Sequence, residues 1–144
     1  MKKNVVLIGM PGVGKSTVGV ILAKLLGYKF IDTDLVIQEK EGMLLKNIIE
    51  EKGIDGFIAT ENRILRSFRA KEAVIATGGS VVYGKEAMRN LSKNSIVVYL
   101  KLDYNKLRYR LGNIKNREWS SAKGSHLADS TKNVSHFMKA IRIS

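Results

Sequence analysis

Gly9-Met10-Pro11-Gly12-Val13-Gly14-Lys15-Ser16 matches the pattern G-x-x-x-x-G-K-[ST], and its flanks suit that pattern. Before it, Val5-Val6-Leu7-Ile8 is a short apolar run that stops at glycine, as expected of a buried parallel strand. After it, Val18, Ile21, Leu22, Leu25 and Leu26 recur at helical spacing until Gly27, which suits a C-terminal cap. Strand, glycine-rich loop and helix in that order predict a cradle for phosphate. The glycines let successive backbone N–H groups turn inward, and the helix start adds the positive end of its dipole. A lysine at this position reaches the β- and γ-phosphates of ATP, and a serine after it supplies a hydroxyl to Mg²⁺. Gly12, Val13, Gly14, Lys15, Ser16 and Thr17 are therefore the expected nucleotide-binding residues.

Downstream, apolar runs alternate with helical patterns. Lys29-Phe30-Ile31 reads as a second strand, followed at once by Asp32-Thr33-Asp34. Three helices are expected next: Leu35 to Glu41, a second marked by Leu44, Leu45, Ile48 and Ile49 and ended by Gly53, and a third from Phe57 to Arg69. Ala73 to Ala76 is a third buried strand, Lys85 to Lys93 a helix, Ile96 to Leu100 a fourth strand, and Tyr104 to Leu111 a last helix. Strands alternating with helices imply right-handed crossovers and a parallel sheet covered on both faces, a three-layer α/β/α sandwich.

Composition excludes more than it assigns. The 144 residues make one domain, and 44% hydrophobic with 26% charged residues is ordinary for a globular chain. No run approaches the ~20 apolar residues of a membrane span. Cysteine is absent, which rules out thiolate metal sites and disulfides and suits a reducing cytoplasm. The formal net charge of +12 fits attraction of an anionic substrate. Its lysines and arginines are scattered and not interleaved with aromatics, so nucleic acid is not the expected partner. A monomer binding ATP and a small acceptor is expected.

Two carboxylates follow the second strand. In a parallel sheet, strand carboxyl ends share one edge, so Asp32 and Asp34 are expected to face the crevice of the phosphate loop. Beside a triphosphate they suit one Mg²⁺ ligand and one group that orients or deprotonates an acceptor hydroxyl. Capping of the following helix by Asp32 or Thr33 is the plainer role, and a cap could account for one of the two carboxylates. Gly78-Gly79-Ser80, after the third strand, offers backbone N–H groups at the same edge or simply makes a tight turn. Arg110 and Arg117 are late cations, suited either to transition-state charge or to a solvated surface.

The set resembles shikimate kinase, a small member of the nucleoside-monophosphate-kinase-like enzymes built on this phosphate loop. The matching residues are Gly9 to Thr17, Ile31-Asp32-Thr33-Asp34, Gly42 with Ile48-Ile49, and the Gly53 to Glu61 stretch with Phe57. Ala76-Thr77-Gly78-Gly79-Ser80, Val98-Tyr99-Leu100 and Arg110-Leu111-Gly112-Asn113 to Arg117 complete it. The resemblance implies transfer of the ATP γ-phosphate to a hydroxyl of shikimate, with Mg²⁺. It casts Lys15, Asp34 and Arg117 as catalytic, Ser16 and Asp32 as Mg²⁺ ligands, and Asp34, Gly78 and Gly79 as acceptor-binding. Arg110 would stack on adenine, and Arg117 would be the lid arginine. The chain departs from the family at Ile58, where an arginine for the shikimate carboxylate is usual, and at Ser80, where a third glycine is usual.

The resemblance is expected to cover residues 1–117, the kinase domain. Residues 118–144 are serine-rich, weakly periodic and lack the family's closing arginine, so they are read as a divergent tail from a shifted reading frame or truncated gene. Alternatives to a shikimate-specific enzyme are a kinase of another hydroxylated acceptor (sugar acid, nucleoside or nucleotide), favoured by Ile58, and a nucleotide-binding domain with little transferase activity. A nucleic-acid-stimulated ATPase is the reading suggested by charge alone.

Overall fold

The structure is a computed structural model that describes residues 3–103, 105, 106 and 109. The chain divides into two units, Met1–Lys101 and Leu102–Ser144, and the first carries all the strands described. In order these elements are β1 (Asn4–Ile8), α1 (Lys15–Leu26), β2 (Lys29–Asp32), α2 (Thr33–Glu41), α3 (Leu45–Leu65), β3 (Ala73–Ala76), α4 (Lys85–Ser92) and β4 (Ser95–Tyr99). A single 3₁₀ turn, Val81–Tyr83, links β3 to α4.

The strands form one parallel sheet in the order β2-β3-β1-β4. Two crossovers thus skip a neighbour, and β3 lies between the strand before the phosphate loop and the strand before Asp32. Leu7 and Asp32 both stand opposite Ala76, and Ile8 stands opposite Tyr99. All four strands therefore release their next residues at a single edge. Polar anchoring starts this register: the Asn4 amide donates to Ala70 O at 2.8 Å and accepts from Ala73 N at 3.0 Å.

Both faces of the central strands β1 and β3 are buried, as expected of a three-layer sandwich, whereas Ile96 and Val97 of the edge strand β4 are exposed. Val5 and Leu7 pack with Val74 and with Ala23 of α1, while Val6 and Ile8, which alternate to the other face, are equally buried. Leu22 of α1 also packs against this cluster, but most of the helix's large apolar residues face away from it. The helix's buried positions are Lys15, Gly19 and Ala23, whereas Val18, Ile21, Leu25 and Leu26 are exposed, Leu25 at 77%. Of the expected apolar stripe, Leu22 lies against the core while Val18, Ile21, Leu25 and Leu26 do not form the packed face. Gly19 explains why: a Cβ there would sit 2.7 Å from the Phe30 ring and 3.3 Å from Leu7, so the helix lies too close for anything larger.

The other expectations shift by small amounts. Helix α2 begins at Thr33 rather than Leu35, which brings Asp34 into its first turn. The two helices expected on either side of Gly53 run together as α3, with a kink at Gly53 (φ 72°, ψ 177°), and the second ends at Leu65 instead of Arg69. Glu41 of α2 pairs with Lys52 at 3.2 Å and with Arg63, one residue on each side of that kink. Strand β4 starts one residue earlier than expected and ends at Tyr99. The helix expected from Tyr104 to Leu111, with Arg110, Arg117 and the tail from residue 118, lies outside the described residues apart from 105, 106 and 109.

The exit of β1 is set by close backbone contact. Leu100 N donates to Ile8 O at 2.9 Å, and Gly9 (φ 155°) lies so close that a Cβ would be 2.6 Å from Leu100 O. Both the backbone conformation and the contact exclude a side chain at this position. Gly9→Ala is expected to lower Tm by roughly 5 °C or more. Thermal melts monitored by circular dichroism check this, and an unchanged Tm would count against the contact.

Candidate active site

The phosphate loop folds tightly between β1 and α1. Gly12 (φ 80°) and Gly14 (φ 100°) take left-handed conformations that glycine adopts without strain, and Val13 N donates to Met10 O at 3.2 Å. Gly14 caps α1 without a side-chain hydrogen bond, so the amides of the helix's first turn (Lys15, Ser16 and Thr17) have no intrahelical acceptor. They open toward the loop with the positive end of the helix dipole, an arrangement suited to anions. Lys15 is 8% exposed, and its ammonium donates to Gly9 O and, at 3.0 Å, to Met10 O. Burial lowers its pKa to about 8, opposed by attraction to Asp34 and Asp32, so it is predominantly charged at neutral pH. Ser16 and Thr17 are exposed at the same helix start.

Asp32 and Asp34 arrive from β2. Asp32 Oδ1 accepts from Asp34 N at 2.9 Å and so caps α2, which is the plainer of its expected roles. Both carboxylates act electrostatically on Lys15, which places them beside the phosphate loop although β3 separates their strands. Asp34 is half-buried, and burial with repulsion from Asp32 raises its pKa to about 6.

The segment after β3 joins these groups. Thr77 N and Oγ1 both donate to Leu7 O, at 3.2 and 2.8 Å, fixing the segment to β1. A Cβ on Gly79 would lie 2.5 Å from Pro11 Cδ, so the segment touches the phosphate loop. One on Gly78 would lie 2.8 Å from Asp34 Oδ1 and 3.2 Å from Glu61 Oε2. The tight-turn and ligand-facing readings of Gly78-Gly79-Ser80 thus merge, because the absent side chains are what let three loops meet. Ser80 Oγ donates to Glu61 Oε1 at 2.7 Å.

Glu61 is the member of this cluster to which the sequence reading gave no role. It is 1% exposed, and burial raises its pKa to about 7, with the Ser80 hydrogen bond opposing and Asp34 reinforcing the rise. Its Oε2 has no hydrogen-bond partner among the described residues. A signal was present: Phe57, Glu61, Ile64 and Leu65 follow helical spacing, so an acidic residue sits within an apolar stripe. The nucleotide-side residues from Gly12 to Thr17, the two aspartates and the Gly78-Gly79 pair are gathered at one edge as expected. Arg110 and Arg117 lie outside the described residues. No group of three or more His, Cys, Asp or Glu suited to a metal occurs among the described residues. Mg²⁺ held largely by phosphates needs only one or two carboxylates, and the hard oxygens of Asp32 and Ser16 fit that requirement.

Comparisons with known proteins bear on the family and the fold. A family model described as shikimate kinase matches residues 11–140, and so reaches past residue 117, where the resemblance was expected to end. A shikimate kinase from a Sulfurihydrogenibium species is 41% identical over 116 residues, covering 80% of this chain and 70% of that protein. One from Actinobacillus succinogenes is 43% identical over 100 residues, covering 69% and 57%. The chain thus spans between somewhat over half and 70% of the length of these relatives. Among solved structures, shikimate kinase from Acinetobacter baumannii in complex with shikimate is similar at a TM-score of 0.75 and 32% identity, over 95% of this chain and 74% of that one. The enzyme from Aquifex aeolicus gives 0.66 and 32%, over 78% and 74%.

Two outcomes follow from the geometry. Gly79→Ala is expected to push Pro11 and weaken ADP binding about tenfold, read by calorimetric titration, because a ring within a backbone loop yields only if the loop moves. Glu61→Gln is expected to raise stability at pH 8 by roughly 2–3 kcal/mol. The folded pKa of Glu61 lies above the ordinary value, so its favourable contribution is present at low pH and is lost as pH rises from about 4.5 through about 7. The gain should therefore vanish below pH 4.5, and chemical denaturation at the two pH values measures it.

Proposed function

We propose that this chain, which belongs to the shikimate kinase family, transfers the γ-phosphate of ATP to a hydroxyl of shikimate, giving shikimate 3-phosphate. The observation that carries the reading is the position of Asp34. Its carboxylate lies against Gly78, in the electrostatic field of Lys15, at the edge where the phosphate loop opens. A carboxylate with a pKa near 6 is ionised at neutral pH yet basic enough to share a proton.

In this mechanism the acceptor hydroxyl hydrogen-bonds Asp34, which takes the proton as the oxygen attacks the γ-phosphorus. The bond from that phosphorus to the bridging oxygen breaks, and ADP leaves. The first-turn amides of α1 and the Lys15 ammonium hold charge on the β- and γ-oxygens. Asp32 and Ser16 are the residues that would hold Mg²⁺, which when bound neutralises phosphate charge. Gly78 and Gly79 admit the acceptor close to the backbone. Arg110 against adenine and Arg117 over the transferring phosphate complete the proposal on the strength of the family resemblance.

A second reading keeps the chemistry and changes the acceptor to another hydroxylated molecule, such as a sugar acid, nucleoside or nucleotide. Ile58 favours it. Three residues before Glu61 on α3, and so on the same helix face, it is apolar where the family carries an arginine for the carboxylate.

A coupled ADP-release assay with Mg-ATP and a panel of shikimate, gluconate and nucleosides separates these readings. Release accelerated by shikimate alone is the expected result, and acceleration only by another acceptor would displace it. Lys15→Ala should lower kcat by roughly 10²–10³-fold. Asp34→Asn should lower kcat by roughly 10²–10⁴-fold with ATP affinity little changed. In the wild type, the acidic limb of kcat/KM should fall near pH 6 and not near pH 4, since the base acts only when ionised.

A further inference from the structure

We propose that Ser80 is a positioning residue for the acceptor: its hydroxyl ties the segment after β3 to Glu61 of α3 and so holds Gly78 against Asp34. The inference rests on the proposed transfer to shikimate and names a determinant of that site on a residue where this chain departs from its family.

Three observations carry it. The Ser80 Oγ to Glu61 Oε1 distance of 2.7 Å is that of a strong hydroxyl–carboxyl hydrogen bond. Glu61 lies in the fully buried part of α3 with Phe57, Ile64 and Leu65, so the bond fastens the segment to a fixed part of the core and not to a surface side chain. It is also the hydrogen bond that satisfies this carboxyl, since the second oxygen has no partner among the described residues. Breaking it would leave both oxygens of a buried carboxyl unsatisfied, which is costly enough that the bond is retained.

The geometry shows why a tie is needed. Gly78 sits between Asp34 Oδ1 and Glu61 Oε2, two acidic groups that repel when ionised. Gly78 and Gly79 carry no side chains to anchor the segment, and Gly78 is held by its backbone alone, its carbonyl accepting from Val81 N at 3.4 Å. Upstream, Thr77 is fixed to Leu7 O; downstream, Ser80 is the next residue with a side chain to hold. Thr77 and Ser80 thus clamp the two glycines from either end, one to β1 and one to α3. Released at Ser80, Gly78 can withdraw from Asp34, and the acceptor loses one wall of its site while the phosphate loop keeps its own contacts.

Steady-state kinetics on the full chain test this with wild type, Ser80→Ala and Ser80→Thr. Ser80→Ala should raise the shikimate KM about tenfold, leave the ATP KM within about twofold, and be rescued by Ser80→Thr, which retains the hydroxyl. An unchanged shikimate KM in Ser80→Ala, or an equal rise in Ser80→Thr, would overturn the proposal. Should the wild type bind Mg-ATP but fail to phosphorylate shikimate, the activity reading falls by itself. Amide hydrogen exchange then decides the tie: exchange at Gly78 and Gly79 about tenfold faster in Ser80→Ala supports it, and unchanged exchange refutes it.

Discussion

The closeness of three loops at one sheet edge is the constraint on which the rest depends. Strand β3 runs between β1 and β2, so the segment leaving it is squeezed between the phosphate loop on one side and the aspartates on the other. Only residues without side chains pass through. Gly79 lies against Pro11 and Gly78 against Asp34 and Glu61, at distances that a single methyl group would violate. The phosphate loop is confined from its far side too, where Gly9 abuts the backbone carbonyl of Leu100. The phosphate loop and the carboxylates Asp34 and Glu61 are thereby brought close to one another by backbone packing, before any charge is considered.

Charge then sets what the arrangement does. Lys15, Asp34 and Glu61 are all drawn from water, and in each the ionised form is the one that burial penalises. Lys15 keeps its charge at neutral pH because its normal pKa is high and two aspartates face it. Asp34 keeps its negative charge for the matching reason, though with less margin. Glu61, with a hydroxyl and not a cation as its neighbour, is poised near neutrality. Such a cluster of buried ionisable groups lowers stability, and the apolar core around Val6, Val74, Ile75 and Leu65 offsets it.

Much of this was legible in the sequence because it depends on neighbours along the chain. The phosphate loop is a local pattern between a strand and a helix, and Asp32 and Asp34 are identified by following a strand directly. What was not legible depends on residues far apart. Strand order is not written in any one segment, so the place of β3 between β1 and β2 had to be seen. The contact of Gly79 with Pro11 spans most of the domain for the same reason. The packed face of α1 was misjudged because small residues, Gly19 and Ala23, make the close contact while Ile21 and Leu25 remain exposed. Glu61 carried no motif; its significance came from burial within an otherwise apolar stripe.

The central claim is that backbone amides of the loop from Gly9 to Ser16, with Lys15, hold the polyphosphate where β1 passes into α1, one glycine pair away from Asp34. A crystal structure of the full chain with Mg-ADP and shikimate tests it most directly. The account predicts the β-phosphate within hydrogen-bond distance of the Gly14, Lys15 and Ser16 amides and an acceptor hydroxyl on Asp34. A diphosphate bound elsewhere, with the loop amides turned away from it, would contradict the account.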